Sequence, residues 1–188
     1  ALDYLRDELS VIFEKEGKKY FKLDPWVVRN NYISVILERT ERNIRKFQNE
    51  YFLEELTDEQ KVLGMELLEI QRQAMLMYTS CGWFFSEISG IETTQIMKYA
   101  ARAMQLAANF TDTNFEEKFL EILKDAQSNF KEYGTGKDIF ERFVKPSIVT
   151  TKQIASLWAI TSLYQDFDDE EDVYCYRVLR KSYKKVQK

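Results

Sequence analysis

The chain has 188 residues, enough for one domain that buries roughly 70% of the surface its unfolded form exposes. With 45% hydrophobic and 31% charged residues, a net charge of -4 and no apolar run near the roughly 20 residues of a bilayer span, it reads as neither disordered nor membrane-embedded. It also has no basic field for a nucleic-acid backbone. Histidine is absent, which removes imidazole bases, Ser-His and Cys-His nucleophiles and His-containing zinc sites. Cys81 and Cys175 are too few for a disulfide scaffold and point to a reducing, cytoplasmic setting.

The apolar stripe Leu2, Leu5, Leu9, Ile12 and Phe13 predicts a helix over 2–15 that ends at Gly17. Asp24-Pro25 opens the next, with Val28, Tyr32, Ile36 and Leu37 on one face. Thr40 caps a short helix bearing Ile44, Phe47 and Phe52. Thr57 and Gln60 have capping-box spacing and start the longest helix, 58–79, with Leu63, Leu67, Ile70, Ala74, Met77 and Tyr78 facing inward. A loop over 80–90 follows. Ser89–Glu92 and Asn114–Glu117 show the same box spacing and predict helices over 91–109 and from Phe115 on, the latter with Phe119, Ile122, Leu123, Ala126 and Phe130 in the core.

Gly134 and Gly136 break the chain, a short helix spans 137–145 before Pro146, and Thr150 or Thr151 caps a last helix to Leu163. Residues 166–172 hold six acids in seven positions, and 177–188 hold six bases. The acidic run lacks the spacing of a calcium loop and reads as a solvated linker. Between the two, Val173–Val178 is β-branched and aromatic and reads as a strand. The expected fold is all-α: a bundle of about six to eight helices over 1–165, then an acidic linker and a strand over 166–188. A chain that starts at Ala and closes on a strand without a partner suggests a piece of something longer.

Chemistry concentrates in Glu69–Glu92. Trp83-Phe84-Phe85 sit between two long helices, where three adjacent rings cannot all turn inward, so at least one faces a pocket or a partner. Gly82 before them permits either a close backbone approach or a positive φ. An exposed indole offers a flat apolar face for a sugar ring, with Gln71, Arg72 and Tyr78 near enough to bind hydroxyls. The plainer alternative makes the aromatics core plugs, Gln71 and Arg72 loop-backbone partners, Glu87 a solvated acid and Cys81 a small buried residue. Gly134-Thr135-Gly136-Lys137 lacks the strand and spacing of a phosphate loop. No catalytic residue, cofactor or metal ligand emerges from the residues themselves.

The run MLMYTSCGWFF over 75–85, SGIET over 89–93 and YAARAMQLA over 99–107 resembles a domain of unknown function found C-terminal to family 57-type glycoside hydrolase barrels. Glu69, Gln71, Arg72, Asp24-Pro25-Trp26 and Val144-Lys145-Pro146 fit the same pattern; Ser86 departs from it, standing where an acid commonly follows the two Phe. The resemblance implies a bacterial α-glucan hydrolase or transferase whose retaining carboxylate pair lies on a barrel outside this chain. This helical domain then lines the carbohydrate site through Trp83, with Phe84 and Phe85 beside it, and leads on to β-structure. On that reading the chain alone cleaves nothing, and its partners are an α-glucan, the barrel and the β-region. The alternative is a helical protein–protein interaction module or a structural spacer with no sugar contact.

Overall fold

The computed structural model describes residues 1–173 and 176–182. The helices are α1 (Leu2–Gly17), α2 (Pro25–Asn31), α3 (Ile33–Leu37), α4 (Glu41–Tyr51), α5 (Asp58–Leu76), α6 (Ile91–Ala107), α7 (Phe115–Leu123), α8 (Gly136–Ile139) and α9 (Thr151–Thr161). Two antiparallel strands, β1 (Glu170–Val173) and β2 (Tyr176–Leu179), follow. The fold is helical, with its only described strands near the C-terminus. By internal contacts the chain divides into residues 1–147 and 148–188.

In the first unit α5 is the central element, packed most extensively on α6 and next on α1. Leu67, Leu68 and Ile70 of α5 meet Leu5, Leu9 and Phe13 of α1 and Ala100, Ala103 and Ala107 of α6 in the core, all 0% exposed. Three alanines at one-turn spacing give α6 a shallow surface, so its axis can come close to α5. The ends of α5 and α8 are set by realised boxes: Thr57 accepts from Gln60 N while the Gln60 side chain takes Thr57 N, and Thr135 and Asp138 reciprocate in the same way. The boxes expected at Ser89 and Asn114 are not made. Gly90 and Asn114 are the N-caps there, and neither helix start carries a side-chain cap bond.

Several helices end before their expected limits, and in two the break moves a residue out of the expected core. The 25–37 segment breaks at Tyr32, leaving Leu37 80% exposed instead of on the inner face. The α7 helix stops at Leu123 rather than running to Phe130. Beyond it Ala126 O accepts from Gly136 N, Gln127 bridges to Thr135 and Ser128 N donates to Gly134 O. These longer-range bonds satisfy the backbone that continued helix would otherwise have used. Phe130, expected in the core, is therefore 55% exposed. After α8 the chain makes one i→i+5 turn at Phe140–Val144 and a 3-10 turn at Lys145–Ser147, because Pro146 has no N–H to continue a regular helix. Phe140 is buried there, its ring 5.8 Å from that of Phe119.

In the second unit Thr150 and Gln153 form a capping box on α9, and Trp158 stacks on Phe167 at 5.9 Å. The single strand expected at 173–178 is instead divided between two: Val173 ends β1, and 176–178 lie in β2. Residues 170–172 of the acidic run, expected as solvated linker, join Val173 in β1 and pair with 176–179, with Asp172 opposite Arg177 in the register. Cys175 and the end of the basic tail, 183–188, lie outside the described residues. Among the described residues no helix is long and apolar enough to cross a membrane.

Gly64 of α5 lies against the ring of Phe52, and a Cβ there would stand 2.6 Å from Cε2 of that ring. A glycine-to-alanine change in an exposed helix stabilises by about 1 kcal/mol. Gly64→Ala is expected to reverse that sign and cost about 1–3 kcal/mol, because Phe52 is itself fully packed. Urea unfolding of the two proteins checks it, and equal or greater stability in the variant contradicts the packing described.

Candidate functional site

The segment after α5 is held from both sides. Ser80–Trp83 form a single 3-10 turn, with Gly82 N donating to Thr79 O. Gly82 is buried against α6: a Cβ there would lie 2.6 Å from Cγ2 of Ile96, so only glycine lets the turn sit this close. Of the two roles open to it in sequence, close approach is the one it plays. Its carbonyl accepts from Thr93 Oγ1 at 3.2 Å, which ties the same turn to the start of α6. A 3-10 turn advances about 120° per residue, so successive side chains leave it in different directions. With the turn's inner side taken by Gly82, the rings that follow face outward. Trp83 is 60%, Phe84 80% and Phe85 56% exposed. They are not core plugs.

Trp83 and Phe85 line a cleft of about 340 Å³ together with Tyr78, Ile96, Met97 and Leu123. Ser86 and Thr93 supply hydroxyls at its wall. Phe84 stands outside this lining, edge-on to Phe85 at 5.1 Å. Tyr78 gives the cleft its ring, while its hydroxyl donates to the Asp3 carboxylate and the Arg6 guanidinium lies 5.7 Å over the ring. Burial first, then the bond to Asp3, push the Tyr78 phenol up to about 12, so it stays protonated at neutral pH.

Gln71 and Arg72 do not reach the cleft. Gln71 is 4% exposed and donates through Nε2 to Leu9 O of α1, 3.3 Å away. Position 71 falls one turn from both Leu67 and Ala74, on the buried stripe of α5, and that spacing was the signal for an inward side chain. Arg72 pairs with Glu69, whose other oxygen takes the Tyr32 hydroxyl and the Arg39 guanidinium. Burial alone would raise the Glu69 carboxyl, but the bonds from Tyr32 and Arg39 hold it below its ordinary value. This ionic cluster ties α5 to the α2–α3 corner, and its polar groups are used in doing so.

The residue that sequence reasoning undervalued is Glu87. Its carboxylate accepts from Ser89 N at 2.8 Å, from Ser128 Oγ at 2.7 Å and from Asn129 N at 2.8 Å. Asn129 in turn donates through Nδ2 to Ser86 O at 2.8 Å. The aromatic loop is thereby stapled to the segment after α7. Partial burial alone would raise the Glu87 carboxyl; the bonds from Ser128, Ser89 and Asn129 outweigh it and bring it to about 2. Cys81, expected to be small and buried, is exposed. Among the described residues no three Cys, Asp or Glu side chains gather to hold a metal ion. What the arrangement offers is a rigid aromatic cleft that can position a ligand.

A family model described as "Domain of unknown function (DUF3536)" matches residues 1–188, the whole chain, and the chain belongs to that family. No curated protein and no solved structure matches it.

Because Glu87 is held at about 2 against an ordinary 4.5, its staple contributes stability above pH 4.5 and loses it as pH falls toward 2. Glu87→Gln is expected to melt below the native domain at pH 7, with the gap closing between pH 4.5 and 2. Thermal unfolding followed by circular dichroism across that range checks it, and a gap independent of pH contradicts the ionised staple.

Proposed function

We propose that this member of the DUF3536 family is a helical accessory domain that forms one wall of a carbohydrate site. On this reading it stands beside a catalytic barrel of the family 57 glycoside hydrolase type, and the partner ligand is an α-glucan. The observation that carries the reading is the Trp83 indole, 60% exposed on a turn that Gly82 and Thr93 fix in place, at the edge of a cleft with Phe85, Ser86 and Thr93. A sugar ring presents C–H bonds on one face and hydroxyls at its edges. A rigid indole bordered by short hydroxyl side chains matches both. Its rotamer freedom is small and its support already built, so little ordering entropy opposes binding. Among the described residues no pair of carboxylates borders this cleft: Asp3 is engaged by Tyr78 and Arg6, and Glu87 by Ser89, Ser128 and Asn129. That suits a wall which orients substrate and leaves bond cleavage to two carboxyls about 5–5.5 Å apart elsewhere.

A purely structural spacer would bury the indole, and it is exposed. A second reading, docking of a protein partner, draws on Phe84 and Ile91, which are 80% and 77% exposed and lie outside the cleft lining. The two readings part on which ring matters.

A single wall is expected to bind a linear malto-oligosaccharide weakly, with Kd of about 1 mM. Trp83→Ala removes a stacked face worth about 1.5 kcal/mol and should weaken binding about tenfold, while Phe84→Ala should leave it unchanged. Isothermal titration of the chain and its two variants reads this directly. Undiminished affinity in Trp83→Ala refutes the carbohydrate wall.

A further inference from the structure

We infer that the cleft continues across the Glu87 staple onto a second ring platform, Phe130 with Tyr133, so that the site takes a linear oligosaccharide several units long rather than one sugar. This rests on the carbohydrate reading of Trp83. The staple is where two loops meet. Ser86 O accepts from Asn129 Nδ2, and the Glu87 carboxylate takes both Ser128 Oγ and Asn129 N. Phe85 directly precedes this seam on one loop and Phe130 directly follows it on the other. Both rings are about equally exposed, at 56% and 55%. Leu123 and Ala126, from the end of α7 and the segment leading to Phe130, already line the cleft beneath Trp83. The same stretch of chain therefore serves both platforms.

Phe130 does not stand alone. Tyr133 meets it edge-on at 6.1 Å and 81°, and Phe143 extends the group at 5.9 Å from Tyr133. The Arg142 guanidinium lies 5.6 Å over the Tyr133 ring and brings planar donors to the rim. Tyr133 N also donates to Phe130 O, closing a tight turn beneath the rings. By chain adjacency and contact, Phe85 leads to the polar seam, the seam to the Phe130–Tyr133 pair, and that pair to the Arg142 guanidinium. An amphipathic helix would want an unbroken apolar strip there. A glucan chain repeats an apolar ring face and a hydroxyl edge in every unit, and that periodicity fits an interrupted strip.

The test is the chain-length dependence of binding, measured with maltotriose and maltoheptaose on the 188-residue protein. The native chain is expected to bind the heptasaccharide at least about fivefold tighter than the trisaccharide, because the second platform engages an already tethered ligand. Phe130→Ala should bring that ratio to about one while leaving trisaccharide affinity within about twofold of native. Tyr133→Ala should act in the same direction, and Trp83→Ala should weaken both ligands. Equal native affinities, or a length advantage that survives Phe130→Ala, would overturn the second platform and leave the Trp83 wall standing. If neither sugar binds the native chain, the wall and its extension fall together.

Discussion

A turn can lie directly on a helix only where its side chain is missing, and Gly82 is that place. Its Cα rests against Ile96 so tightly that a single added carbon would stand 2.6 Å from a methyl of that side chain. This contact fixes the depth of the turn between α5 and α6, and Thr93 fixes its rotation through the Gly82 carbonyl. Once the backbone is seated there, three aromatic residues in succession cannot all find cover. The exposure of Trp83 follows from the geometry of the turn, not from slack in the loop. An exposed indole on a loose loop would lose entropy on meeting a ligand; one held by a close-packed turn loses little.

The second constraint is the carboxylate of Glu87. Three donors from two loops converge on one ionised group, which strengthens each bond and keeps the proton off. The staple works across more than forty residues of sequence, so it sets the distance between the aromatic loop and the segment following α7 without any sheet or disulfide. It adds to the bonds of Ala126, Gln127 and Ser128 with 134–136 that hold the chain beyond α7 out of the helix. Packing thus places one side of the cleft and a hydrogen-bonded ion the other.

Much of the fold was legible in the sequence because its causes are local. The Thr57 box, the Asp24-Pro25 start and the Thr150 cap each depend on groups within one turn, and each is formed. The boxes read at Ser89 and Asn114 have the right letters, yet no cap bond forms at either helix start. Periodicity placed Phe130 in the core because it continued the stripe of α7, and it failed where tertiary bonds stopped the helix. At the site, adjacency told that at least one of Trp83, Phe84 and Phe85 faces outward; that all three do is set by the turn seated on Ile96, which no local pattern showed. The inward turn of Gln71 was legible in its spacing from Leu67 and Ala74, but the partners Leu9 of Gln71 and Asp3 of Tyr78 were not, being reached only by tertiary contact; Arg72 is engaged by Glu69 one helix turn away. Of the Glu87 partners only Ser89 N is local; those at 128 and 129 are neighbours only in the folded chain, so the staple could not be read from the sequence.

The chain's 3 tryptophans give a direct view of the central claim, because only Trp83 borders the cleft while Trp26 bonds to Glu14 and Trp158 stacks on Phe167. The decisive measurement is a heteronuclear NMR titration of the labelled chain with a linear malto-oligosaccharide, following the indole N–H signals. The account predicts that the Trp83 signal moves in step with the amides of the aromatic loop, while those of Trp26 and Trp158 stay in place. A Trp83 signal that does not move under saturating sugar would contradict it.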